Sequence, residues 1–242
     1  MIRKLFIYAS LILFGAFTIN AFWLGFNDVT TIQLFDRLPV LIAPPHYTYL
    51  IFFAVVAINF VFFMTYSEEE KSLILSSNLQ LALYLCNALI HVIVLYIWHN
   101  EQFMSAIVLQ SALLLLTFSL YLTFPQTKQQ QFYRVPIALI FGWQLFIFLL
   151  MVNITLINYE WYGFGLSHAL WCVIFMTFGT FIVLYLKYQY ADYMTGIVFI
   201  WFYIGIAYKN GFDALLVTAA ALFLSGVMAV GIWLLKKNRT SA

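Results

Sequence analysis

Eight times along its 242 residues this chain runs for sixteen to twenty-two positions without one Asp, Glu, Lys or Arg. The runs are Leu5–Leu24, Tyr47–Tyr66, Leu79–Trp98, Phe103–Phe124, Ile137–Ile157, Ala169–Leu186, Tyr193–Tyr208 and Ala214–Leu235. A helix that crosses the hydrocarbon core of a bilayer, roughly 30 Å, needs about 20 apolar residues. The runs are continuously apolar rather than alternating, which excludes a membrane β-barrel. Only 8% of the residues are charged, and mean hydropathy is +0.96. Soluble domains carry about 25% charged residues, so no soluble fold of this length could hide so much apolar surface. The expectation is an all-α integral membrane protein, an eight-span antiparallel bundle, with the short seventh run least certain to cross fully.

Basic residues orient the bundle. With the N-terminus inside, Arg3, Lys4, Lys71, Lys128, Arg134, Lys187, Lys236, Lys237 and Arg239 fall on one side, and Arg37 and Lys209 on the other. Cytoplasmic loops collect Lys and Arg, so the expected location is the plasma membrane, multi-pass, with both termini cytoplasmic. The MIRK start before an apolar run is similar to a signal peptide, but no small-x-small cleavage site follows, and it is taken as span one. Cys86 and Cys172 both fall inside spans and read as packing residues. The net charge of +2 reflects topology and suggests no nucleic-acid partner. The partners expected are the lipid bilayer and a small hydrophobic ligand, and a homodimer stays open.

Candidate chemistry is sparse. No ionised side chain lies at membrane depth, which argues against proton pumps, ion-coupled transporters and voltage sensors. No catalytic, nucleotide-binding or metal motif is present, so no enzymatic activity and no metal site are expected. In span three, Gln80, Tyr84, Asn87 and His91 share one helical face, which Trp98 continues. Such a face avoids lipid. It either bonds neighbouring helices, with Asn59 or Gln110 as partners, or lines a pocket. Trp23, Trp98, Trp161 and Trp171 read as an outer aromatic belt and Trp233 as its inner counterpart. Trp143 and Trp201 lie deeper and suit either core packing or stacking on a flat apolar ligand. In span eight, Ala221, Ser225 and Ala229 form a small-residue helix contact. The connection Phe35–Tyr49 is unusually apolar for a loop. It carries the salt-bridge-capable Asp36 and Arg37 and three of the five prolines, Pro39, Pro44 and Pro45. Loops normally run solvated over the surface, so this one is expected to fold over the bundle as a lid.

Three stretches carry a family resemblance: DRLPVLIAPPHYTY before span two, IWHNE after span three and RVPIALIFGW opening span five. Together they resemble the tryptophan-rich sensory protein family (TspO/MBR, related to the translocator protein). NYEWYGFGLSHALW is similar to its longer bacterial members. The resemblance implies a five-helix unit over residues 1–157 and a three-helix C-terminal extension over 158–242. Where the family usually has a tryptophan and a tyrosine after the double proline, this chain has Phe52 and Val56. The resemblance implies a sensory or regulatory protein that binds a small hydrophobic ligand in an outer-half pocket, with porphyrin or haem as the bound molecule it suggests. Pro44, Pro45, Tyr47, Tyr84, Asn87, His91, Trp98 and Trp143 are then the lining residues, with Asp36, Arg37 and Pro39 in the lid. A transporter or permease subunit for an uncharged or lipophilic solute is the alternative. A membrane enzyme using the outer histidines with Glu101 or Glu160 stands behind both.

Overall fold

The computed structural model describes residues 2–26, 28–65, 78–124 and 132–235. The polar stretches Glu68–Glu70 with Lys71 and Lys128 with the glutamines 129–131 lie outside these residues. So does the basic tail Lys236, Lys237 and Arg239. Among the described residues there are nine α-helices and no strand. They are α1 (Ile2–Ile19), α2 (Thr31–Asp36), α3 (Ile51–Thr65), α4 (Asn78–His99), α5 (Phe103–Leu122), α6 (Val135–Asn158), α7 (His168–Tyr190), α8 (Met194–Asn210) and α9 (Leu215–Leu234). Helices are what lipid demands, because every backbone N–H and C=O must be bonded within the segment. Seven of the helical runs are long and apolar enough to cross a membrane.

The eighth, α8, is shorter, with 17 residues, or about 25 Å at 1.5 Å per residue. It nevertheless runs from one end of the bundle to the other. Near its start Thr195 Oγ1 donates to Ala138 O at 3.2 Å, beside the beginning of α6. At its end Asn210 Nδ2 donates to Leu41 O at 2.9 Å, in the connection between α2 and α3.

The helix α6 is the hub. In its membrane window 89% of residues are buried, against 28–44% in the other six. On one side it meets α3 and α5, which with α1 and α4 close a five-helix group; on the other it meets α7 and α8, which pack with α9. Both groups therefore share one wall. At the end opposite the lid, Arg134 is only 3% exposed. Its guanidinium donates to Tyr190 O at 2.7 Å and lies over the Tyr121 ring, 5.3 Å from its centre. Arg134 is thus not the solvated loop cation expected from the charge pattern. An aromatic face and a carbonyl replace the water it gives up.

Local signals set the joints. The last turn of α1 widens into a π-turn, Asn20–Leu24, and Gly25 follows at φ 93°. A Cβ there would stand 2.9 Å from Val29 O, so only glycine makes this turn. A reciprocal capping box starts α2: Gln33 N donates to Thr30 Oγ1 and Thr30 N donates to Gln33 Oε1. Between α2 and α3 the chain lays Val40, Ile42, Ala43 and Pro44 against the bundle, all buried. The apolar connection Phe35–Tyr49 thus packs against one end of the bundle, and it is called the lid below for its position alone. The small-residue contact in α9 differs from expectation. Ala221 and Ser225 are buried but Ala229 is exposed, and the packed face runs Val217–Ala221–Met228–Gly231. A straight helix at 3.6 residues per turn leaves a strict four-residue stripe behind by its third step.

The helix α8 presses Gly205 onto the proline corner. A Cβ on Gly205 would fall 2.3 Å from Thr48 Cγ2 and 3.4 Å from Pro44 and Pro45. Overpacking of this kind costs about 1–3 kcal/mol. Gly205→Val is expected to lower the thermal unfolding midpoint of the detergent-solubilised protein, followed by tryptophan fluorescence. Gly226→Val, which meets open space, should leave the midpoint within a degree or so.

Candidate functional site

The lid is held by charges at its rim and by rings beneath it. Asp36 and Arg37 do not pair with each other. Asp36 Oδ2 meets His46 Nε2 at 2.5 Å and Asp36 Oδ1 accepts from Lys209 Nζ at 3.3 Å, while Arg37 pairs with Glu101. The i,i+1 spacing points the two side chains in different directions, so each reaches another helix end. The rim thereby ties the end of α2 to the start of α3, the turn after α4 and the end of α8. All these side chains are at least a third exposed, so each pair contributes at most about 1 kcal/mol. Pro39 is exposed at the rim.

Under the lid lies a continuous aromatic cluster. Phe35, from α2, meets Phe22, Tyr49 and Trp98 at centroid distances of 6.0, 6.0 and 5.9 Å. Trp143, from α6, meets Phe22 at 5.5 Å and Phe52 at 4.9 Å. Phe14 joins Phe52 at 5.5 Å to the His91 ring at 4.5 Å. The C-terminal helices also reach in. Phe202 of α8 stacks on Phe146 at 3.8 Å and 3°, and lies 5.9 Å from Trp143 and 6.1 Å from Tyr49. All of these rings are at least nine-tenths buried. Trp98 is therefore a core residue and not part of an interfacial belt. Trp201 is 41% exposed; its indole donates to Thr48 O at 2.8 Å and its ring neighbour is Tyr47, not Trp143.

The polar face of α4 does point inward, but its members divide. Asn87 belongs to a closed ring of three bonds: it donates to Thr117, Thr117 Oγ1 donates to Gln144 Oε1 at 2.5 Å, and Gln144 Nε2 donates to Asn87 Oδ1 at 3.2 Å. The partners expected for the stripe are engaged elsewhere. Asn59 Nδ2 donates to Val55 O and Pro136 O, and Gln110 Nε2 to Gln144 O. His91 Nε2 lies 2.7 Å from Thr18 Oγ1, which also lies 2.7 Å from Phe14 O. Where the hydroxyl donates to Phe14 O, Nε2 carries the imidazole hydrogen and Nδ1 presents a lone pair. That Nδ1 is buried with no hydrogen-bond partner among the described residues, as are Tyr49 OH, Trp98 Nε1 and Tyr84 OH.

Of the residues expected to line a site, His91, Trp98 and Trp143 thus share one cluster. Asn87 is bound into the polar ring beside it. Tyr84 sits apart, edge-on to Phe63 at 6.0 Å. Pro44 and Pro45 back onto α8, and Tyr47 is 44% exposed against Trp201 and Tyr208. Phe14, Phe22, Phe35, Tyr49 and Phe202 were not singled out by sequence. Gln144 could have been, as a lone glutamine in an otherwise apolar stretch. The four histidines go to four places: the lid rim, the interior, the α4 end beside Thr31, and the start of α7. Among the described residues no three His, Cys, Asp or Glu side chains gather as a metal centre would need.

These features define an all-helical, multi-pass membrane protein with a buried aromatic core under a folded connection. A family model described as TSPO-like protein matches residues 4–234, and the chain belongs to this TSPO-like family. The match runs through α9, so the family likeness does not stop at the five-helix group. No curated protein and no solved structure matches the chain.

The two kinds of polar contact should respond differently to mutation. Asn87→Leu leaves Thr117 and Gln144 buried and underbonded, at a cost of about 1–3 kcal/mol. Arg37→Ala removes one exposed pair and should cost under about 1 kcal/mol. Denaturation of both variants in the same detergent checks the order, and an equal effect would remove the distinction drawn here between core and rim.

Proposed function

We propose that this protein binds a small, flat, hydrophobic ligand in the aromatic chamber between α1, α3, α4, α6 and α8, and acts as a membrane sensor or regulator. One observation carries the reading: three buried polar groups without partners among the described residues, Tyr49 OH, His91 Nδ1 and Trp98 Nε1, belong to one contiguous ring cluster. A buried group left unbonded costs about 1–3 kcal/mol, and groups of this kind call for an explanation. A ligand with one hydrogen-bond donor for His91 and one acceptor for the phenol or indole would satisfy them, while its faces stack on Trp143 and Phe52. Rings now fill the chamber, so access requires Phe35 to withdraw with the lid, against rim pairs that are individually weak.

A tetrapyrrole is the first ligand to test. It is planar, apolar across its faces and, without metal, carries pyrrole N–H donors that His91 Nδ1 can accept. The excess of basic residues on the loops opposite the lid supports placing the lid face outside and both termini in the cytoplasm of the plasma membrane.

The test is a titration of the purified full chain with protoporphyrin IX and haem, followed by tryptophan quenching. Saturable quenching is expected, and His91→Ala should weaken it about ten-fold, the value of roughly 1.4 kcal/mol. Non-saturable quenching, or curves identical in wild type and His91→Ala, would sink this site. Flux of the same probe across proteoliposomes, abolished in His91→Ala, would move the reading to transport.

A further inference from the structure

We infer that the protein holds an anionic phospholipid on its surface, with an acyl chain in the groove between α7 and α9 and the headgroup at the basic end of those helices. The groove has a volume of about 620 Å³ and is lined by Leu184 of α7 and by residues of α9 from Leu222 to its end. No polar side chain lines it. From Leu222 to Leu234 the helix rises ~18 Å, enough for the acyl layer of one leaflet, roughly half of a ~30 Å hydrocarbon core. The groove is remote from the chamber, whose walls are α1, α3, α4, α6 and α8.

A glycine marks where the chain would lie. Glycine weakens a helix relative to alanine, so a helical glycine calls for a close neighbour. Gly142, Gly179, Gly196, Gly205 and Gly231 each stand where a Cβ would come within 3.2 Å of a neighbouring element, and Gly15 meets Val56 at 3.5 Å. Among the α-helical glycines of the described residues, Gly226 alone meets nothing within 4 Å. It forms a notch in the groove. A second copy of the chain is the other natural occupant of an apolar helix face. Close helix pairs use small residues at four-residue spacing, but the residues four before and four after Gly226 are Leu222 and Val230, both more than half exposed. A one-residue notch between bulky walls admits a flexible hydrocarbon chain and holds off a helix.

Charge selects the lipid. A Cβ on Gly231 would collide with Leu184, so the C-terminal ends of α7 and α9 lie together. Lys187 stands one turn past Leu184, and Lys236, Lys237 and Arg239 follow Leu235 in the sequence. No Asp or Glu follows Asp213. Asp192, just after α7, is engaged by the N–H groups of Met194 and Thr195. Lys and Arg next to a membrane helix attract anionic headgroups, by about five-fold for each residue near the surface. The positive-inside bias explains why cations gather at a helix end, but not why they adjoin a groove with an unfilled notch.

The experiment places the full chain in phosphatidylcholine vesicles and titrates in phosphatidylglycerol brominated on its acyl chains, or phosphatidylcholine with the same brominated chains. Bromine quenches nearby tryptophan. Trp233 is 79% exposed and lies seven residues past Gly226, on the same helix face; its signal is the difference from Trp233→Phe. Half-quenching of Trp233 is expected at an about five-fold or more lower fraction of the anionic lipid. Gly226→Leu, which fills the notch, should remove most of that preference. Equal half-quenching fractions for the two lipids overturn the site, as does a preference that Gly226→Leu leaves intact. So does an oligomer of the unmodified chain that Gly226→Leu dissociates, which would give the face to a second copy. Lys236→Gln with Lys237→Gln leaves the groove whole and should also lose the preference, so the proposal stays falsifiable if Gly226→Leu does not fold.

Discussion

The whole arrangement depends on α6 being buried on every side. A membrane helix gains nothing from leaving lipid for an equally apolar neighbour, so close fit and bonded polar groups must hold it. Its sequence meets both needs. Gly142 lets α8 approach, with a Cβ there 3.2 Å from the Thr195 backbone. Gln144 closes the three-bond ring with Asn87 and Thr117 and takes Gln110 on its carbonyl. Within the ring each of the three side-chain oxygens accepts a bond, so burying it costs less than burying an open polar network. That ring fixes α4 and α5 against α6, and from this register the inward face of α4 follows. His91 and Trp98 are brought to the chamber as a consequence.

Much of the fold was legible in the sequence, because lipid makes the rule simple. Charge-free runs of the right length became helices within a few residues of their expected ends, and even the short run at 193–208 became a helix reaching both ends of the bundle. The family resemblance pointed to the same architecture. Partners were less legible. The spacing of Gln80, Tyr84, Asn87 and His91 shows that they share a face, but not which helix stands opposite. Thr18 and Thr117 bond those residues, yet a threonine in an apolar span gives no signal of its own, since its hydroxyl can equally return to its own helix. Arg134 shows the opposite failure. Counting cations treats every arginine as solvated, whereas a guanidinium can be buried once an aromatic face and a carbonyl receive it.

The C-terminal helices alter the meaning of the five-helix unit. Phe202 is a wall of the chamber, Trp201 bonds Thr48 at the start of α3, and Asn210 and Lys209 reach Leu41 and Asp36 of the lid. One helix thus touches the chamber, the proline corner and the lid rim along its length. Through these contacts α8 packs against the five-helix group as well as against α7 and α9.

That sharing bears on how a ligand could be sensed. Withdrawal of Phe35 moves α2, and α2 cannot move without disturbing the Asp36–Lys209 contact at the end of α8. The same α8 carries Phe202 into the chamber, so its two contacts with the ligand region lie on one rigid element. The opposite end of α8 carries Thr195, bonded to Ala138 and to Asp192. If a ligand binds as proposed, a tilt at the lid would be carried toward the far end of the bundle through a helix about 25 Å long. The physical requirement is differential contact: a ligand shifts the balance only as far as it favours one position of Phe35 and Phe202 over the other. Under the proposed function the weak, exposed rim pairs would oppose opening little, whereas the polar ring around Gln144 holds α4, α5 and α6 together.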